Sequence, residues 1–368
     1  MKRNLLFLAI ALLLVPAPAR SSDHADPITL PVLESGLTDL HAFPEDDQMI
    51  VVLATRRALT APPPYQLEPY EYAIHMDLHS QMSYENAEDR ARYGGTIVQP
   101  EGITPDVTIK IRLNNDATLK EKSFEGLSNP GSVRLWAGVK DDPFIFPRFF
   151  ERNAIVMVLS IPFSAFPAGQ QDWLLWGTTT RLEDGVQIDH VGRSNRTQLA
   201  RFDFLNTLPP SQHAAAIKEK NTSRERIMKL LMDCIPPAAN LYQTVFTFRH
   251  YDYVPDVMIF TKRYPVGFPN GRQLSDDVAM LTCQQGDCPL IEASYADTKQ
   301  WPRATRSDKP FGDEFPYLAD PWPAKPSQPT ASGPGMMCMM CMMLVMAVPV
   351  VLVVIIVWLF IRCRRKRA

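Results

Sequence analysis

This sequence predicts a mainly β protein: a β-sandwich-like antiparallel ectodomain with a short helical insertion, followed by one C-terminal transmembrane helix. Three observations carry the prediction. Short runs of alternating or β-branched apolar residues recur along the chain, bounded by Pro, Gly, Asn and Asp clusters. Proline outnumbers glycine by 33 to 17, which favours loops and strand edges over long helices. Near the C-terminus, Met336 to Ile361 contains no charge and is followed at once by RCRRKRA.

Taken in order, residues 1–19 read as a secretory signal. Lys2 and Arg3 form its positive region, Leu5 to Val15 its apolar run, and Ala17-Pro18-Ala19 a cleavage site of small residues. The apolar run is too short to span a bilayer, so cleavage after Ala19 is expected. The ectodomain, residues 20–320, offers strand candidates at Met49–Thr55, Tyr70–Leu78, Val107–Leu113, Ile155–Ile161, Trp173–Thr180 and Leu241–Arg249. In VTIKIRL the residues Val107, Ile109, Ile111 and Leu113 share one face and Thr108, Lys110 and Arg112 the other, the pattern of a half-buried antiparallel strand. Two amphipathic stretches between Ser211 and Pro236 make the helical insertion. An alternative division is two smaller β-rich lobes separated near residue 210. Residues 321–335 (PWPAKPSQPTASGPG) form a stalk with nothing to pack a core. Residues 336–361 are long enough to cross the ~30 Å hydrocarbon layer, and the basic tail 362–368 stays cytoplasmic by the positive-inside rule. The expected location is therefore a single-pass cell-envelope membrane protein with its ectodomain outside. A helical span argues against a bacterial outer membrane. The same C-terminal shape occurs in cleaved sorting tags, but no sorting motif precedes this one.

The composition, 46% hydrophobic and 21% charged, is that of a globular chain. Its formal charge of −2 hides an asymmetry, because seven of the 38 basic residues sit at the two ends. The remaining 31 face 40 acidic residues, so the middle carries about −9 and lacks the basic face a nucleic-acid partner requires. Three of the six cysteines belong to the anchor region. Cys283 and Cys288 flank a Gln-Gln-Gly-Asp turn and are expected to close a small disulfide loop, leaving Cys234 free and buried. The run Met336 to Met343 (MMCMMCMM) has soft ligands suited to Cu(I), but the favoured reading is the apolar start of a membrane helix.

Four segments resemble a known family. These are the mature N-terminus SSDHADPITLPVLESGLTDLHAF, residues 136–146 (WAGVKDDPFIF), residues 188–193 (IDHVGR) and residues 266–278 (VGFPNGRQLSDDV). In this order they are similar to motifs of the domain-of-unknown-function family 4331, largely bacterial secreted proteins. The resemblance covers about residues 21–290 and implies an extracytoplasmic location without implying an activity. The chain departs from the family where an acidic, glycine-containing turn follows the YEYAIHMDL-like strand. Here HSQMSYENAEDR takes its place.

Candidate chemistry centres on histidine and acid. His75, Asp77 and His79 share one face of an extended strand, and two imidazoles with a carboxylate suit a divalent metal. Same-face neighbours on a strand lie ~6.6 Å apart, so one ion would require a bulge. His24 and Asp26 are candidate additional ligands. The pairs Asp141-Asp142 and Asp276-Asp277 could bind Ca²⁺, but structural use in turns and caps is expected. Residues 267–271 (GFPNG) have turn chemistry and lack the companions of a phosphate-binding loop. G-x-S-x-G and H-E-x-x-H are both missing, which removes the reason to propose catalysis. The expectation is a binding or structural module with an envelope protein or ligand as its partner. The alternative is a metal-handling protein or metal-dependent enzyme using the His/Asp set.

Overall fold

Two antiparallel sheets and few helices make up the fold, seen in a computed structural model that describes residues 35–193, 202–234, 253–285 and 303–324. The signal segment, His24, Asp26, the strand expected at 241–249, Cys288, most of the stalk, the membrane segment and the basic tail lie outside the described residues. The chain divides into two compact units. One comprises residues 19–217 and 250–325 and carries the sheets; the other comprises 1–18, 218–249 and 326–368, of which 218–234 are described.

The first sheet is ordered β1 (Leu37–Glu45), β2 (Gln48–Leu59), β9 (Asn153–Pro162) and β8 (Arg134–Asp141). The second runs β11 (Val186–Val191), β10 (Asp172–Arg181), β3 (Tyr70–Asp77), β6 (Val107–Leu113) and β7 (Leu119–Glu125). β12 (Met258–Thr261) joins the second sheet along β10. It shares that edge with β11: β12 pairs with Asp172–Leu175 and β11 with Gly177–Arg181. Strands from before and after residue 210 therefore share one sheet. A small ribbon, β4 (Met82–Ser83) with β5 (Thr96–Ile97), encloses α1 (Ala87–Tyr93).

Both sheets contribute to one core. Leu40, Val51, Leu53, Ile155 and Met157 from the first meet Tyr72, Ile74, Ile109, Ile111, Trp173 and Leu175 from the second. Each such side chain, fully buried, contributes ~1.5–3 kcal/mol of transfer free energy. β6 alternates buried and half-buried positions as its sequence predicts. β9 does not alternate, because the outer face of the first sheet is covered too. Ile50, Val52, Val156 and Val158 pack there against Leu274 and Leu318, with Phe311, Phe315 and Tyr317 around them. Burial on both faces is why MIVVLAT and IVMVLSI read as continuous apolar runs. No helix among the described residues is long and apolar enough to cross a membrane. The helical insertion is a single helix, α2 (Pro210–Cys234), rather than two stretches. Within it Thr222 Oγ1 donates to the Lys218 carbonyl, which gives its hydroxyl a partner one turn back.

Candidate ligand pocket

The motif segments meet in two places. On the outer face of the first sheet, Asp39 of β1 pairs with Arg272 at 2.6 Å, both fully buried. His41 lies on the same strand face, its Nδ1 3.3 Å from the Gln273 carbonyl oxygen. Burial, reinforced by the Arg272 charge, holds His41 well below the usual imidazole range. Asp276 Oδ2 accepts from the backbone N–H groups of Phe268 and Gln273. Asp277 caps α3 (Val278–Gln284) and pairs with Arg303. Asn270 ties Thr261 to its own turn through Oδ1 and Nδ2. Gly271 has φ 65°, and a Cβ there would fall 2.5 Å from the Ala42 carbonyl oxygen. The segment 266–278 is thus a folding device, and its paired acids are consumed by backbone donors and arginine. Asp141 accepts from Trp322 Nε1 at 2.7 Å, and burial with the nearby Asp308 charge raises its carboxyl to about 7.

The second meeting place is the edge of β10 where β11 ends and β12 has yet to begin. The backbone there leaves the ladder, and the freed N–H groups of Gly192 and Arg193 donate to the Asp256 carboxylate. Gly192 packs directly on that segment: a Cβ would fall 2.2 Å from the Asp256 carbonyl oxygen. His190 Nε2 donates to the same carbonyl at 2.6 Å, and its ring packs edge-on against His213 at 5.0 Å. The Asp256 N–H donates to His213 Nδ1, whose other nitrogen donates to the Leu208 carbonyl. His213 is therefore held neutral with its proton on Nε2. Asp189 of the same motif accepts from the Leu37 N–H at 2.8 Å, linking β11 to β1.

Arg193 is the motif residue that this scaffolding does not use. Its side chain is 8% exposed, and its guanidinium lies over the Tyr93 ring at 4.4 Å. Nε and Nη2 have no hydrogen-bond partner, and among the described residues no carboxylate pairs with the group. It lines a pocket of about 170 Å³. Tyr93 and Asp89 of α1, Thr96 and Ile97 of β5, and Val257 and Ile259 form much of the remaining wall. Asp89 Oδ2 accepts from the Thr96 hydroxyl. The apolar part continues the cluster that covers the outer face of the second sheet, where Ile97 packs with Leu174, Trp176, Val257 and Ile259. A buried arginine is ordinarily paired, since leaving such a charge uncompensated costs several kcal/mol. The cation–π contact with one tyrosine returns on the order of 2 kcal/mol.

The residues expected to ligate a metal occupy separate roles. His75 is stacked on Trp176 at 5.3 Å, and its two nitrogens bond the hydroxyls of Thr108 and Thr178 at 3.2 and 2.8 Å. Burial, with the positive charges of His190 and Lys110, lowers its pKa to about 4. Asp77 accepts from the backbone of His79, Ser80 and Thr104 and from the Ser80 hydroxyl. His79 is exposed and bonds Asp106 at 2.7 Å, which raises its pKa. Among the described residues no three His, Cys, Asp or Glu side chains gather as a metal site would require. Cys283 is disulfide-bonded. Sequence reasoning placed Arg193 in a motif but gave it no role, because pairing is a property of the folded neighbourhood. Neither a protein-family model nor a curated protein matches the chain.

Proposed function

We propose that this chain is a membrane-anchored, extracytoplasmic binding module of the family its motifs resemble, a β-sandwich that captures a small ligand through an anionic group at Arg193. The observation that carries the reading is the buried guanidinium with two unpartnered donors on a pocket wall. A guanidinium offers five N–H donors in a planar fork, the geometry that takes a carboxylate or phosphate two bonds at a time. The pocket is smaller than the ~300–1,000 Å³ of drug-sized sites, so the ligand is a small metabolite. The signal segment, stalk and apolar C-terminal stretch supply the envelope location and the anchor.

The test is calorimetric titration of the full chain with small carboxylates and with inorganic phosphate, repeated on Arg193→Met. Binding to the parent that falls at least a hundredfold in the variant is expected. Equal binding by a folded Arg193→Met chain would overturn the reading.

A further inference from the structure

The pocket that holds Arg193 also holds Asp89. Among the described residues these two are the charged side chains on its wall, and no ion pair joins them. The wall is therefore close to net neutral and carries one charge of each sign. A simple anion entering it gains at Arg193 and loses at Asp89, and a simple cation suffers the reverse. A molecule carrying both charges gains at both ends. Opposite charges about 4 Å apart interact by ~4 kcal/mol at an effective dielectric of 20, so the second contact decides between ligand classes.

We infer that the ligand is a short zwitterion of the α-amino-acid type, its carboxylate on Arg193 and its ammonium on Asp89. This assignment rests on the binding reading above and specifies its ligand class. Arg193 lines the pocket, and its buried Nε and Nη2 have no protein partner, so no described group answers its charge. At the other end, Thr96 bonds one carboxylate oxygen of Asp89, which leaves the other oxygen to accept from an ammonium. Between them Ile97, Val257 and Ile259 offer an apolar wall for an aliphatic side chain. A space of about 170 Å³ suits a small molecule rather than a drug-sized one. The Tyr93 ring holds the guanidinium from one side, so the charge is in place before the ligand arrives.

The experiment is calorimetric titration of the full chain with glycine, alanine, leucine, propionate, ethylamine and O-phosphoethanolamine. It is run on the parent, on Asp89→Asn and on Arg193→Met, with the folding of each variant checked by a cooperative urea transition. Asparagine can still accept the Thr96 hydroxyl, so Asp89→Asn removes charge while keeping the local bond. The expected result is that at least one amino acid binds the parent tenfold or more tightly than propionate and ethylamine do. Asp89→Asn erases that advantage, and Arg193→Met abolishes binding of amino acid and propionate alike. Propionate binding as tightly as the amino acids, unaffected by Asp89→Asn, overturns the zwitterion and leaves the anion-binding reading standing. Binding of O-phosphoethanolamine without any amino acid overturns the amino-acid assignment in favour of a lipid headgroup. No binding of any probe or of phosphate to a folded parent overturns both.

Discussion

Acidification should destabilise the sandwich through His75 by an amount the structure allows to be worked out. His75 sits between Thr108 and Thr178 and against Trp176, neutral, with a pKa of about 4 set first by burial and then by the His190 and Lys110 charges. An unfolded chain restores a value near 6.5. The unfolded state therefore binds the proton between these limits and the folded state does not. The contribution is complete above pH 6.5 and drains away as the pH falls toward 4. Between pH 7 and pH 5 it amounts to about 2 kcal/mol. The total profile is not diagnostic, because Asp141, raised to about 7, titrates in the same window with the opposite sign. The diagnostic quantity is the stability difference between parent and His75→Gln, measured by urea unfolding at each pH. That gap should narrow by about 2 kcal/mol between pH 7 and pH 5. A gap that stays constant refutes the reasoning. An NMR titration of the parent gives an independent check: a His75 midpoint at or above 6 refutes it without any variant.

Other consequences follow from the same contacts. Arg193→Met removes an uncompensated buried charge while keeping an apolar stem on Tyr93, so it should raise stability by ~1–3 kcal/mol even as it abolishes binding; urea midpoints check the sign. Arg272→Met deprives the buried Asp39 carboxylate of its guanidinium and should cost about 3–5 kcal/mol, seen as a lower midpoint at unchanged slope. Gly192→Ala forces a methyl onto the Asp256 backbone and should cost on the order of 2 kcal/mol or more while weakening ligand binding, because the same contact places Arg193. Asp141→Asn keeps an acceptor for Trp322 and removes a strained charge, so it should stabilise the chain by ~1–2 kcal/mol at pH 8 and by little at pH 4, where the parent carboxyl is already protonated.

The strands legible in the sequence were those whose apolar residues dominate their own run. β2, β3, β6, β9 and β10 lie within two or three residues of the expected ranges, apart from the longer C-terminal end of β2. β1 was hidden because Asp39 and His41 interrupt its apolar pattern, and they are tolerated only because Arg272 and Gln273 arrive from far along the chain. β7, LKEKSFE, shows almost no apolar face because it is an edge strand, where charge discourages pairing with another chain. β12 is four residues long and gains its partner only through β10. The His75, Asp77 and His79 pattern was genuine as alternation, yet alternation says nothing about partners. The hydroxyls of Thr108 and Thr178, the backbone of the turn after β3 and Asp106 take up those side chains one by one.

The same reasoning separates scaffold from site among the motif residues. Asp189, His190, Gly192, Asp256 and His213 satisfy one another where the edge of β10 is shared between two short strands. Asp39, Arg272, Asp276, Asp277 and Asn270 are held around the 266–278 turn by Arg303, Thr261 and backbone N–H groups. These hydrogen bonds and ion pairs explain why the fold holds at both places. Arg193 differs in kind. The network around Asp256 fixes its backbone, the Tyr93 ring lies against its guanidinium, and it lines a pocket that Asp89 also lines. Folding stability alone would favour methionine at this position. An arginine held rigid and uncompensated there is stabilised only when a second molecule brings the missing oxygens.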